Sequence, residues 1–281
     1  MLDEALEYLA IRPDGVYMDM TAGLGGHTGA IAGRLTTGLV IANDRDAESL
    51  ELARQNTAAV ASRIRFHHGS FQDVRKALAA SAVERVDGLL ADLGVSRYQL
   101  TEPERGFSLM ADGPLDMRMD RSGGTTAADL VNFTSEKELA DLFYHLGEER
   151  RSRQAARAIV RARPIHTTGQ LARVVEQAVP RTGRLHGATQ VFMALRLAVN
   201  GELEELDSLL AMAPDLVTPG GRVVFITFMS LEDRRVKLSF QDMARSGRAV
   251  ILTKHVVRPS EDEVRTNPPS RSAKLRAVEM R

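Results

Sequence analysis

The chain of 281 residues contains no cysteine and no tryptophan, and its formal net charge is zero. Without cysteine, disulfide bonds and thiolate chemistry are excluded, and a zinc site would depend on histidine and carboxylate ligands. No apolar run approaches the roughly 20 residues that span a bilayer, and no signal peptide is visible. The 37 basic residues match 37 acidic ones, so no global field attracts nucleic acid. We expect a soluble, cytosolic protein that binds any anionic partner locally.

The most informative segment that is present is a glycine-rich turn at residues 18–28, MDMTAGLGGHT. An apolar stretch leads into the turn, a helical pattern follows, and Asp44 appears about 20 residues later, which is typical of a βαβ unit that binds a nucleoside-containing cofactor. Glycine has no Cβ, so the backbone can turn tightly and a ligand can approach it closely. An acid at the end of the second strand can accept hydrogen bonds from ribose hydroxyls. The segment therefore predicts a nucleotide-cofactor site.

The details of the turn discriminate among cofactor classes. No lysine follows the glycines, which argues against a phosphate-binding P-loop, and Thr28 stands where the dinucleotide fingerprint has Gly or Ala. The polar entry at residues 19–21 differs from the apolar strand of a dehydrogenase and suits a cofactor with an amino-acid tail, such as S-adenosylmethionine. Taken alone, the turn leaves a methyltransferase and other nucleotide-binding enzymes open.

Strand-like and helical segments alternate along the first part of the chain. The strand-like segments are residues 16–20, 39–43, 64–67, 86–91, 222–228, 249–255 and 274–280, and helical patterns at 28–35, 47–58 and 71–80 separate the early ones. This alternation predicts an α/β fold with a doubly wound, mostly parallel, Rossmann-like sheet.

The interval between Asp92 and Arg222 is too long for a single crossover. It contains helical patterns at residues 136–146, 148–163, 168–179 and 188–212. We therefore expect a discontinuous sheet domain formed by residues 1–104 and 200–281, with an all-helical, Arg-rich domain inserted at residues 105–199.

Basic charge is concentrated in the predicted insertion. From Arg150 to Arg184 there are nine Arg, no Lys and only one acid, Glu176. Arg150, Arg153, Arg157 and Arg161 follow steps of three and four, which places them on one helix face. Such a stripe is usually a solvated face. Contact with phosphates is the alternative interpretation, and it becomes the better one if a nucleic-acid substrate is established independently.

Two further residues follow predicted strands. Ligands of doubly wound sheets bind beyond the carboxyl ends of the strands, so Asp92, at the end of the fourth strand, is expected near the reactive end of the cofactor. Capping of the loop is the alternative role for this aspartate. Phe71 follows the third strand and could lie against an adenine ring or pack in the core. No ligand spacing singles out a metal site.

Several longer motifs make a family resemblance specific. They are residues 19–28, 92–96 (DLGVS), 105–108 (RGFS), 112–120 (DGPLDMRMD), 147–150 (GEER), 230–234 (SLEDR) and 271–276 (RSAKLR). In this order and across nearly the whole chain, they resemble the RsmH (MraW) family. The resemblance implies a methyltransferase that uses S-adenosylmethionine to modify N4 of one cytidine in the decoding region of 16S rRNA, where the P-site codon and tRNA meet.

The resemblance also implies roles for individual residues. It places Asp44 on the cofactor's ribose, Phe71 near its adenine, and Asp92 and Gln99 around its methionine end. Asp92 is also the candidate catalytic acceptor of a hydrogen bond from the cytosine amine. The turn residues expected to contact the cofactor are Gly25, Gly26 and His27. With RNA as the implied substrate, the residues expected to contact its phosphates are Arg118, Arg150, Arg153, Arg157 and Arg161.

The implied partner is 16S rRNA within the small ribosomal subunit, in the cytoplasm and without a membrane. Whether the protein forms a homodimer is left open.

The sequence departs from the family pattern at several positions. Arg97 stands where a second Ser is usual, Met193 where Gln is usual, and Met229 where His precedes the SLEDR motif. Members usually begin with an additional His-x-Pro-Val stretch before Leu2, so we expect a truncated or misassigned start. The alternative function is a divergent, noncatalytic RNA-binding factor in ribosome assembly. A small-molecule methyltransferase and a dehydrogenase fit less well.

Overall fold

The computed structural model describes residues 1–179 and 186–281. These residues form two compact units. The sheet unit comprises Met1–Gly94 and Leu203–Arg281, and the helical unit comprises Val95–Glu202. The first boundary lies ten residues before the one expected from the sequence, because the chain leaves the sheet at Gly94, whose φ is +115°. Arg181 and Arg184 of the Arg-rich segment lie outside the described residues.

One sheet is formed within the described part of the chain. Its strands are β1 (Val16–Asp19), β2 (Leu39–Asp44), β3 (Ile64–His68), β4 (Val86–Asp92), β5 (Val217–Thr227), β6 (Ala249–Ile251) and β7 (Lys274–Met280). They lie in the order β3-β2-β1-β4-β5-β7-β6. Strands β1 to β5 pair in parallel, and β7 is antiparallel to both β5 and β6. The predicted α/β fold with a mostly parallel sheet is confirmed.

Helices follow most of the strands and make up the helical unit. In chain order they are α1 (Leu2–Leu9), α2 (Gly26–Arg34), α3 (Ala47–Asn56), α4 (Val74–Ala80), α5 (Arg97–Thr101), α6 (Ala127–Phe133), α7 (Glu136–His145), α8 (Ser152–Ala162), α9 (Thr168–Ala178), α10 (Thr189–Asn200), α11 (Glu202–Leu216), α12 (Ser230–Arg245) and α13 (Glu261–Thr266). None of the helices in the described ranges is long and apolar enough to cross a membrane.

Two helix predictions were wrong at their ends. The single helix predicted at residues 188–212 is two helices, because Gly201 adopts a left-handed conformation with φ +57° and terminates α10. The helix predicted at 148–163 begins only at Ser152, because Glu148 has φ +52° and interrupts the helical backbone. Arg150 therefore lies in the turn before α8. Strand β5 also begins earlier than expected, at Val217, with a register shift opposite Val86 and Gly88 of β4.

The central strands are buried on both faces, as a sheet covered by helices on both sides requires. Successive residues point to opposite faces. Leu89 packs in one core cluster with Val223 and Phe225, whereas the next residue, Leu90, packs in another with Val224. The helical unit has its own core, in which Phe143 of α7 and Ile159 of α8 are fully buried.

Candidate active site

Three carboxylates lie at one edge of the sheet. Asp19, Asp44 and Asp92 are the last residues of β1, β2 and β4, which are adjacent parallel strands. Asp19 is in register with Ala42 of β2 and with Leu90 of β4, so the three strands end at nearly the same level. Strand order reverses direction at β1, where β2 lies on one side and β4 on the other. This is the switch point at which doubly wound sheets bind ligands.

The glycine-rich turn connects β1 to α2 at this edge. Gly23 and Gly25 adopt left-handed conformations with φ of +51° and +88°, which a residue with a Cβ rarely adopts. A Cβ at Gly25 would also stand 2.8 Å from Cγ2 of Thr57. The backbone N–H of Gly23 donates to Oδ2 of Asp44 at 2.7 Å. The turn is thereby held against the end of β2, and its backbone is exposed to close approach by a ligand.

Asp19 anchors the other side of the turn. Its side chain is fully buried and accepts hydrogen bonds from Oγ1 of Thr28 at 2.7 Å and from the N–H of Thr21 at 3.1 Å. Burial raises the pKa of Asp19 to about 6, although the bond from Thr28 opposes this shift. Sequence reasoning did not assign a role to this pair. Thr28 was the residue in the sequence that could have indicated this pair. It departs from the dinucleotide fingerprint, and its hydroxyl is the hydrogen-bond donor to Asp19.

Asp44 closes the turn from β2. Its Oδ1 accepts a hydrogen bond from the N–H of Asp46 at 2.9 Å, and its Oδ2 accepts the one from Gly23. Each carboxylate oxygen has a second lone pair, so both can still accept a hydroxyl. Burial raises the pKa of Asp44 to about 6. At neutral pH the side chain is therefore mainly ionised and able to bind ribose hydroxyls.

Asp92 and His27 face each other beside the turn. Nδ1 of His27 lies 3.6 Å from Oδ2 of Asp92. Oδ1 of Asp92 and Nε2 of His27 are both buried and have no hydrogen-bond partner among the described residues. The backbone N–H of Asp92 donates to Oγ1 of Thr21 at 2.7 Å, which fixes the end of β4 to the turn. Unpartnered buried polar atoms are costly and rare, and a bound water, ion or ligand can supply the missing partner.

Burial controls protonation of both groups. It raises the pKa of Asp92 to about 6, with His27 opposing the shift, and it lowers the pKa of His27. At neutral pH the pair is therefore a carboxylate beside a neutral imidazole. A carboxylate with a pKa of about 6 is close to the value at which a general base works best near neutrality.

Phe71 and Gln99 occupy different units. Phe71 follows β3 in the sheet unit, where it is half-buried against the core and its N–H donates to Oε2 of Glu205 at 2.7 Å. It thus lies at the carboxyl edge of the sheet and also packs, so the two predicted roles are compatible. Gln99 belongs to the helical unit, where its Oε1 accepts from the N–H of Ser96 at 2.8 Å at the start of α5.

The departure at Met229 falls near the same edge. Met229 follows β5, the neighbour of β4, and immediately precedes α12. It is buried, and its N–H donates to Oε2 of the buried Glu232 at 3.0 Å. The backbone in this position is therefore held by the SLEDR motif itself, whichever side chain residue 229 carries.

The arginines predicted to contact phosphates differ in their surroundings. Arg153, Arg157 and Arg161 lie on α8 with exposed side chains, and Arg150 is exposed in the preceding turn. Arg118 instead makes a bidentate pair with Asp116, at 2.7 and 2.8 Å, and also donates to the carbonyl of Gly123. Arg118 therefore stabilises its own loop and would have to exchange partners to bind a phosphate.

The helical unit also contains a cavity of about 390 Å³. Its lining is largely apolar and includes Phe107, Met117, Phe192 and Met193, with Arg196 at one side. The departure at Met193 thus adds an apolar side chain to this cavity. Among residues 1–179 and 186–281, no group of three or more His, Asp or Glu side chains is placed to bind a metal ion.

The model of the MraW methylase family matches residues 1–281. The chain belongs to this family. It is 66% identical over 278 residues to the ribosomal RNA small subunit methyltransferase H of Solibacter usitatus (strain Ellin6076), covering 99% of this chain and 97% of that protein. Proteins of the same name from Koribacter versatilis (strain Ellin345) and Cyanothece sp. (strain PCC 7425) are 49% and 47% identical, each covering 98% of this chain and 91% of the relative.

Family membership confirms the predicted resemblance and the methyltransferase class. The methyl donor is S-adenosylmethionine, and the residues present fit it. The positive-φ glycines leave backbone room, Asp44 retains acceptor capacity, and Asp92 has a buried oxygen without a partner in the described part of the chain. The predicted cofactor residues Gly25, Gly26, His27, Asp44, Phe71 and Asp92 lie together at the carboxyl edge of the sheet unit.

Proposed function

We propose that this protein methylates N4 of one cytidine in the decoding region of 16S rRNA, with the small ribosomal subunit as its substrate, in the cytoplasm. The observation that carries the proposal is the buried Oδ1 of Asp92, an acceptor without a partner in the described residues, at the sheet edge that also carries the glycine turn and Asp44. The target follows from family membership and from the relatives, whose name specifies small-subunit ribosomal RNA.

The sheet unit is proposed to hold the cofactor. Gly25, Gly26 and His27 would contact it through the turn, Asp44 would bind its ribose hydroxyls, and Phe71 would lie beside its adenine. The family resemblance supports a contact of Gln99 with the methionine end of the cofactor. When bound, S-adenosylmethionine supplies an electrophilic methyl group on a sulfonium sulfur.

Asp92 is proposed to act on the cytosine amine. The lone pair of N4 is delocalised into the ring, so the amine is a poor nucleophile and must be aligned accurately. Alignment of this kind can lower a barrier by as much as ~7–11 kcal/mol. The carboxylate of Asp92 would accept a hydrogen bond from the amine, orient it, and take the proton that the nitrogen loses. Its pKa of about 6 leaves it ionised for this role at neutral pH.

The helical unit is proposed to hold the RNA. Arg150, Arg153, Arg157 and Arg161 present guanidinium groups to solvent, and phosphates are the natural anionic partner of such a surface. Arg118 would contribute only after leaving Asp116. The target cytidine has to be unstacked before its amine can react, which is least costly in single-stranded or looped RNA.

Methyl transfer from radiolabelled S-adenosylmethionine tests the proposal. Small subunits that lack the modification would be compared with naked 16S rRNA, and the label would be mapped to a nucleoside. We expect label on N4 of a single decoding-region cytidine, with small subunits as the better acceptor. Cofactor binding without label on either RNA would overturn the proposal and favour a noncatalytic assembly factor.

A further inference from the structure

Phe133 is the last residue of α6 in the helical unit, and 84% of its side chain is exposed. The chain has only nine Phe and four Tyr, and most side chains of this size are placed in cores. Phe133 contributes little to the core of the unit, whereas Val131, two residues earlier in α6, is fully buried in it. Its exposure therefore needs another explanation.

The backbone around this ring is held from both sides. Nε of Arg163 donates to the carbonyl of Val131 at 2.6 Å, and the same guanidinium donates to the carbonyl of Thr134. Asn132 exchanges two hydrogen bonds with Ile165, at 2.7 and 2.9 Å. The residues flanking Phe133 are thus tied to the segment that follows α8. An exposed ring on a rigid backbone loses little entropy when a ligand binds it.

Two arginines of α8 are placed towards the end of α6. Nε of Arg157 lies 3.4 Å from Oε1 of Glu136, three residues beyond Phe133, and its side chain is 60% exposed. Arg161 is exposed one turn further along α8, towards the point where Arg163 binds the end of α6. The end of α6 that carries Phe133 is therefore bound to the segment after α8, the helix that carries these two exposed arginines.

An exposed ring beside a helix with exposed arginines favours nucleic acid over a protein partner. A specific protein interface buries about 800 Å² on each side and has an apolar centre larger than one phenyl ring. Proteins bind single-stranded RNA by stacking unpaired bases on aromatic rings, with basic side chains on the adjacent phosphates.

We propose that Phe133 is a stacking platform for an unpaired base of the RNA substrate, with Arg157 and Arg161 on the flanking phosphates. The proposal rests on the proposed function, since it names a contact with the same RNA. It assigns a binding role to Phe133, which lies outside every motif of the family resemblance.

The absence of tryptophan makes a direct test possible. Phe133→Trp introduces a single fluorophore at the proposed site, and Tyr144→Trp introduces one at another exposed aromatic position of the same unit, which is 57% exposed. An unpaired oligoribonucleotide should quench the fluorescence of the first variant and leave the second unchanged. A duplex RNA of equal length should quench neither. Equal quenching of the two variants, or no quenching of Phe133→Trp, would overturn the proposal.

Kinetics separate this proposal from the proposed function. Phe133→Ala and Phe133→Leu should each raise the KM for small subunits roughly 5-fold or more. Phe133→Tyr should keep the wild-type KM, because stacking needs an aromatic ring. The affinity for S-adenosylmethionine should not change in any of them. If the wild-type protein methylates rRNA and Phe133→Ala has the same KM, stacking is wrong and the proposed function stands. If the wild-type protein methylates no RNA, the proposed function fails by itself.

Discussion

The carboxylates of the sheet unit and the arginines of the helical unit are organised in opposite ways. Asp19, Asp44 and Asp92 are each the last residue of a strand, and burial raises the pKa of all three to about 6. The arginines of α8 are exposed on a helix whose opposite face is buried. In the first unit the fold imposes a desolvation cost on the functional groups. In the second it leaves the charged groups in water.

The two arrangements suit different kinds of function. A buried carboxylate acts on one atom of a ligand, because its protonation state and its orientation depend on a few neighbours at fixed distances. A row of exposed guanidinium groups acts collectively through charge, and each member contributes a small, screened term. Substitutions should therefore have large and specific effects in the sheet unit and small, salt-dependent effects on α8.

The largest effect is expected for Asp92→Asn. An amide at this position cannot take a proton from the amine, so kcat for methyl transfer should fall about 100-fold or more. The measurement is single-turnover transfer to small subunits, with the affinity for S-adenosylmethionine determined separately by calorimetry. Asp87→Asn is the matched control, since Asp87 lies near the opposite end of β4 and binds Arg12 and the N–H of Val16. Full turnover in Asp92→Asn would contradict the role of the carboxylate.

A second large effect concerns pH and Asp19. In the folded protein this carboxyl keeps its proton up to about pH 6, whereas in the unfolded chain it loses the proton near pH 4. The folded state therefore binds more protons between these values, and the contribution of Asp19 to stability falls as pH rises through this window. The loss is as much as about 3 kcal/mol.

Asp19→Asn should remove this contribution. Urea unfolding gives the free energy of unfolding of the wild-type protein and of Asp19→Asn at pH 4.5 and at pH 7. The contribution of Asp19 is the amount by which the difference between the two proteins changes from one pH to the other. The wild-type protein should lose more stability than the variant between the two pH values. A difference that stays constant would show that burial does not raise the pKa of Asp19.

The glycine turn gives an intermediate effect. Gly25→Ala should lower the free energy of unfolding by roughly 2 kcal/mol, because the residue has φ +88° and the new Cβ would meet Thr57 and the backbone of Ala53. Gly26→Ala is the control, because it lies at the start of α2 with no atom within 4 Å of the added Cβ. Chemical denaturation without cofactor measures both. Equal losses in the two variants would contradict a strained turn.

The smallest effect is expected on α8. Arg157→Gln should make the dependence of RNA affinity on salt less steep, by about 0.7 in the slope of log K against log salt concentration. Arg245→Gln on α12 is the control, since it removes the same charge from an exposed arginine of the sheet unit. RNA-binding titrations between low and high salt measure the slopes. A slope unchanged in Arg157→Gln would argue that α8 presents only a solvated face.

Much of the fold was predictable because its signals are local. The strand-like segments matched β1 to β4 within one or two residues, since buried strands between glycines and helices have a clear pattern. The division of residues 188–212 into α10 and α11 was missed because apolar spacing continues across Gly201, and only its left-handed backbone separates the helices. The position of Arg150 before α8 was missed because the helical pattern also continues across Glu148, and only the left-handed backbone of Glu148 interrupts the helix.

The sequence by itself determined the class of the sheet, the glycine turn and the acid at the end of β2. Each is specified by residues close together in the chain, and a parallel sheet brings strand ends to one edge. The pairing of side chains depends on the packing of segments far apart in the sequence. His27 meets Asp92 across 65 positions of sequence, and Asp19 takes Thr28 as its partner. Arg118 binds the buried Asp116, whereas Arg157 pairs with the exposed Glu136. Burial and pairing depend on which distant segments pack together, and composition and spacing do not contain that information.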